Sequence, residues 1–128
     1  MKRTKRAFLN KRKILFAVIF SIVIIIFATG IDFLFHQLSE EYSVPSRYFP
    51  NKIIYGAVII FLCLFVFRKI SSSDKAIVVS LITGSLLQVK YFFEGYPSEF
   101  VCVFLSIHFF ALLIPSWIIL NKFDKYIF

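Results

Sequence analysis

The chain has 128 residues, 59% of them apolar and 20% aromatic, and fifteen Lys and Arg against seven Asp and Glu give it a net charge of +8. An apolar fraction so far above the ~45–50% of soluble domains excludes an ordinary water-soluble globule on composition. With the long apolar stretches set aside, the longest remainder is the 18-residue segment 35–52, which cannot form a core of its own, so one transmembrane domain covering residues 1–128 is expected.

Residues 1–13 form a basic tail carrying Lys2, Arg3, Lys5, Arg6, Lys11, Arg12 and Lys13. The first apolar run, Ile14–Leu34, has the ~20 residues that a helix needs to cross a hydrocarbon core. Its start resembles a secretory signal, with Ala28-Thr29-Gly30 where cleavage would fall. Because Ile31–Phe35 extends the apolar run, a retained helix is the expectation. Pro45 and Pro50 then bracket Ser46-Arg47-Tyr48-Phe49, read as an extended or turning link whose aromatics suit the headgroup layer.

The second run, Ile53–Phe67, is the shortest, and Ser71-Ser72-Ser73-Asp74 follows as a tight turn in which Ser73 or Asp74 caps the third helix. The third run is Ala76–Phe93; Glu94-Gly95-Tyr96-Pro97-Ser98-Glu99 then turns the chain back into the fourth, Phe100–Leu120. Backbone polar groups in lipid must be satisfied within their own segment, so each run is a helix. The short links force antiparallel neighbours and predict an all-α, four-helix up-down bundle. Pro115 removes one ladder hydrogen bond from the fourth helix and bends it, and Trp117 anchors its inner boundary.

Charge placement sets the orientation. Twelve basic residues fall in the tail, in the link between the second and third runs (Arg68, Lys69, Lys75) and after the fourth (Lys122, Lys125), against two, Arg47 and Lys52, in the other links. This positive-inside bias predicts a multi-pass cell-membrane protein with both termini cytoplasmic. The basic tail is then expected to contact anionic lipid and not nucleic acid.

Helical periodicity predicts the inward faces. They are Ser21, Ala28, Thr29, Asp32 and His36 on the first helix and Gly56, Ile60 and Cys63 on the second. On the third they are Ser80, Thr83, Gly84, Leu87, Tyr91 and Glu94, flanked by Gln88 and Lys90. Small residues on such stripes let membrane helices approach closely.

Asp32, His36, Gln88, Lys90 and Glu94 cluster in the outer third of the spans, with His108 roughly 12 Å deep by helical rise. Together they predict an outward-facing polar pocket above apolar inner halves. An ionisable group inside a span asks for a named partner; for Lys90 these are Asp32 or Glu94. Lys90 can also snorkel, and Asp32 can end its span. His108 is expected to donate, as a neutral ring, to a carbonyl or to Gln88. Both imidazoles could ligate a metal with Asp32 or Glu94, but no ligand spacing appears in the sequence, so no metal or other cofactor is expected.

Cys63 and Cys102 form no CxxC pair, and their depths, roughly 15 and 3 Å, place them too far apart for a disulfide; both are read as small buried thiols. A phosphate loop, an HExxH motif and a nucleophile elbow are all absent. Three function classes remain. The first is a non-enzymatic subunit or accessory component that associates laterally, with itself or another membrane protein, through faces such as Phe61, Phe65 and Phe67. The second is a minimal oligomeric transporter or channel using the outer pocket. The third is an enzyme on a lipid-linked substrate with His36 or His108 as base. The sequence ranks them in that order.

Overall fold

The computed structural model describes the backbone of residues 2–128 and the side chains of residues 11–128. The tail residues Lys2, Arg3, Lys5 and Arg6, to which lipid contact is assigned above, have side chains outside the described residues. The described chain is all-helical: α1 (Lys2–His36), α2 (Tyr48–Val66), α3 (Ser72–Phe93) and α4 (Ser98–Phe123), with 3-10 turns at Glu40–Tyr42 and Asp124–Tyr126. Four segments, Lys11–His36, Tyr48–Val66, Ser72–Phe93 and Ser98–Tyr126, are long and apolar enough to cross a membrane.

Every helix starts before its apolar run: α1 at Lys2, so that the expected tail continues the helix, α4 at Ser98, and α2 and α3 each for a local reason. α2 begins at Tyr48, five residues before Ile53, so Pro50 sits in its first turn. A proline costs nothing there, because the first N–H groups of a helix have no partner within it. Lys52 thereby moves from a loop into a span. α3 begins at Ser72, and its cap is Ser71, whose hydroxyl accepts from Asp74 N at 3.3 Å. Ser73 and Asp74 lie inside the first turn, not at the cap. Gly95, at φ +83°, supplies the left-handed residue that ends α3 and lets the chain reverse before α4.

The helices pack in a ring, α1 on α2 and α4, and α3 on α4 and α2, with α2–α3 the loosest seam. On α1 the buried residues Ala17, Ser21, Ile24, Ile25, Ala28, Asp32 and His36 recur at three- and four-residue steps, which is one helical face. The opposite face is Leu15, Val18, Ile22, Ile26, Phe27 and Leu34, all exposed. An exterior this apolar around a partly polar interior inverts the arrangement of a water-soluble bundle. Two buried serines are satisfied locally: Ser21 and Ser80 each donate to the carbonyl four residues back, at 2.7 Å.

The apolar core runs through Ile24, Ile25, Ile60, Leu64, Val79, Leu112 and Leu120. Below it, Lys75 is buried and donates to Asp124 Oδ1 at 2.6 Å and to the Arg68 carbonyl at 3.3 Å, while Ser72 donates to Asp124 Oδ2 at 2.8 Å. This network joins the start of α3 to the end of α4. Pro115 lies inside a continuous α4 and is buried. Phe61 and Phe65, read above as a lateral association face, pack edge-on against Phe128. Cys63 is buried, but Cys102 is exposed, contrary to the buried-thiol expectation, because it faces away from the ring.

Gly56 of α2 packs directly against the Ile25 side chain of α1. A methyl group there would run into Cγ1 and Cδ1 of Ile25. Gly56→Ala is expected to destabilise the bundle by about 1–3 kcal/mol, the usual cost of overpacking. Ile25→Ala in the same chain should relieve much of that cost, which a double-mutant cycle of unfolding in mild detergent will read.

Candidate functional site

The site is built around one carboxylate. Asp32 lies one turn before the end of α1 and is fully buried. Lys52 reaches it from the first turns of α2, with Nζ 2.6 Å from Oδ2. His36, four residues further along α1, places Nε2 3.2 Å from the same oxygen. His108, from the middle of α4, places Nε2 2.8 Å from Oδ1. All four side chains are at least nine-tenths buried. Three helices thus converge on a single acid.

Aromatic rings hold the imidazoles in place. His36 stacks on Phe104 with ring centres 4.1 Å apart and planes 6° from parallel, and Phe49 meets it edge-on. His108 stacks against Tyr91 at 6.0 Å. The segment between α1 and α2 folds over the cluster, and the Tyr42 carbonyl accepts a hydrogen bond from His36 Nδ1. Tyr42 also sets its ring edge-on to Phe104.

Donor and acceptor accounting leaves the cluster incomplete. The only aligned hydrogen bond to Asp32, among the described residues, is that from Lys52. Asp32 Oδ1, His36 Nε2 and both nitrogens of His108 are buried without a hydrogen-bond partner, despite the short distances. Thr29 Oγ1, Thr83 Oγ1, Gln88 Oε1 and Ser116 Oγ also lack partners, but the free atoms of Asp32, His36 and His108 belong to ionisable groups gathered around one carboxylate, and that marks a candidate site.

A cavity of about 330 Å³ opens beside the cluster in the loose seam between α2 and α3. Its walls are Tyr48, Tyr55 and Ile59 on one side and Leu86, Lys90 and Tyr91 on the other, with Lys52 and His108 reaching in from the cluster. The cavity therefore offers amines, phenols and an imidazole amid apolar walls.

The six residues expected to share an outer pocket divide. Asp32, His36 and His108 come together. Lys90 borders the cavity but does not reach Asp32: its ammonium lies over the Tyr48 ring at 4.8 Å and 4.0 Å from Glu94. The lysine paired with Asp32 is Lys52, which the sequence reading left in a loop because it treated Pro50 as a breaker. Gln88 is buried, but its amide donates to the Val101 carbonyl across the α3–α4 seam and not to His108. Glu94 is exposed at the end of α3 and takes no part. The missed signal was Pro50 itself, since a proline followed by an apolar run marks a first helical turn. Family models, curated proteins and solved structures return no match to this chain.

Removing one partner of a buried ion pair strands the other. Asp32→Asn and Lys52→Met are each expected to cost about 3–5 kcal/mol. The double variant should recover a large part of the loss, because no charge is then left alone. Unfolding curves of the four proteins in detergent measure the coupling.

Proposed function

We propose that this chain is a small multi-pass integral membrane protein of the cell membrane. In this reading it is one transmembrane domain folded as an up-down bundle with both termini cytoplasmic, and its outer half holds a small solute or ion. The orientation rests on the twelve-to-two distribution of basic residues among the links. The up-down order is supported by the α3–α4 pairs, where Lys75 meets Asp124 and Gln88 meets Val101, so that one helix climbs as the other descends.

The solute reading is carried by one observation: four buried ionisable groups with hydrogen-bonding capacity to spare converge beside a cavity that two of them, Lys52 and His108, line. An accessory subunit held only by lateral contacts would need no such cluster, and its apolar faces serve lipid contact equally well. The solute that fits has a polar or anionic head, to meet Lys52, Lys90 and the tyrosine hydroxyls, and an apolar body against Ile59, Leu86 and Leu87. Among the described residues no formally charged side chain enters the core between Asp32 and Lys75, which favours passage across the membrane through more than one copy. At the opposite end, a cavity of about 450 Å³ bordered by Lys13, Arg68, Lys122 and Lys125 supports contact with anionic lipid headgroups.

Two measurements check this. In a cysteine-free background, Ser43→Cys should react with a membrane-impermeant maleimide on intact cells, and Lys69→Cys only after permeabilisation. The reverse pattern would invert the topology. In proteoliposomes, Lys90→Ala should change the flux of at least one of benzoate, phosphate or potassium by about tenfold or more, with the unfolding midpoint unmoved. Lys90 is 44% exposed, so its loss costs the fold little. Equal flux of all three in a folded variant removes the solute reading.

A further inference from the structure

The hydrogen-bond pattern of His36 raises a question of charge that the protein groups do not answer. Its Nδ1 faces the Tyr42 carbonyl, and a carbonyl can only accept, so Nδ1 carries the proton. In a neutral ring Nε2 is then a bare lone pair, and it points at an Asp32 oxygen 3.2 Å away. Two lone pairs facing each other at buried positions repel. His108 Nε2 stands close to the other carboxylate oxygen without an aligned bond, and its Nδ1 is also free. One ligand atom each from Asp32, His36 and His108 lies within 4.8 Å of the others, and all three residues are buried. The geometry calls for a cation among them.

We propose that Asp32, His36 and His108 bind a divalent transition metal of the zinc class, leaving a fourth position toward the α2–α3 cavity. Two imidazoles and one carboxylate form a ligand set suited to Zn²⁺ or Co²⁺, and an open fourth position is how such ions meet exogenous ligands. The Tyr42 carbonyl on Nδ1 is the outer-shell partner that fixes a ligating imidazole with Nε2 free. Lys52 stays on Oδ2 while Oδ1 turns to the metal, so the carboxylate has an oxygen for each. With Asp32 and Lys52 cancelling, the two positive charges of the ion favour an anion in the fourth position. The cavity brings Lys90 and Tyr91 to the same side.

This inference deepens the solute reading and rests on it for access to the site, yet the two fail separately. Metal can bind in a protein that moves none of the test solutes, and those solutes can move in protein stripped with EDTA.

The test uses full-length protein in mild detergent, stripped with EDTA, then titrated with Zn²⁺ by calorimetry and with Co²⁺ by visible absorption. One equivalent of Zn²⁺ and the intense visible bands of four-coordinate Co²⁺ are expected. His36→Gln and His108→Gln should each weaken Zn²⁺ binding by about tenfold or more, at least the loss seen when an outer-shell partner is removed. Glu94→Gln, outside the cluster, should leave it unchanged. Folding of every variant is checked by circular dichroism. Folded wild-type protein that takes up neither ion overturns the proposal, whatever the variants do. Binding that persists in the folded glutamine variants overturns it too.

Discussion

Asp32 is a carboxylate with no access to water, set one turn inside a helix whose outer face suits lipid. Moving an isolated charge of that kind out of water costs several kcal/mol even after the protein relaxes. The cost is offset only where opposite charge and hydrogen-bond donors approach closely; here Lys52 of α2 supplies both, while His36 of α1 and His108 of α4 bring ring nitrogens to the same carboxylate. Lys52 fixes how far α2 slides along α1, and His108 fixes the rotation of α4. The small residues of the seam then follow, with Gly56 opposite Ile25 and Gly84 against the backbone of α4 near Phe109. The register of the bundle is in large part the geometry of satisfying one acid.

A second buried pair, Lys75 with Asp124, does the same at the far end. Between the two pairs lies an apolar core in which the described buried polar side chains are uncharged hydroxyls such as Ser21, Ser80, Thr83 and Ser116. The buried ion pairs sit at the ends, and the two ends differ. Lys75 is closed off by Asp124, the Arg68 carbonyl and the hydrogen bond from Ser72 to the same acid. The Asp32 cluster keeps free nitrogens and a free oxygen, and the cavity touches it. The first arrangement closes a structural joint. The second has capacity left over, and that surplus carries the functional reading.

Pro50 shows how a sound local rule misleads when applied alone. Proline disrupts helix interiors, so a chain reading places it in a link; the first turn is the one helical position where it is at home. That single misplacement hid Lys52 and led the search for Asp32's partner to Lys90, which has the right depth but the wrong direction. Depth follows from counting residues at a fixed rise per residue. Direction around the bundle depends on how each helix is rotated against its neighbours, and side-chain reach adds several ångströms more.

The order of residues alone determined what needs only local physics. Four runs long enough to span, the polar stripes within them at helical spacing and the bias of basic residues toward alternate links all follow from composition and period. It also placed Asp32 and His36 on an inward face and counted His108, by depth, into the same outer pocket. Only the tertiary structure decided which groups meet: that Lys52 holds Asp32, that Gln88 serves the α3–α4 seam, that Tyr42 reaches back to His36 and that Lys75 finds Asp124. Those pairings join residues far apart in the chain, and their selection is a property of packing, in which rotation, slide and rotamer are settled together.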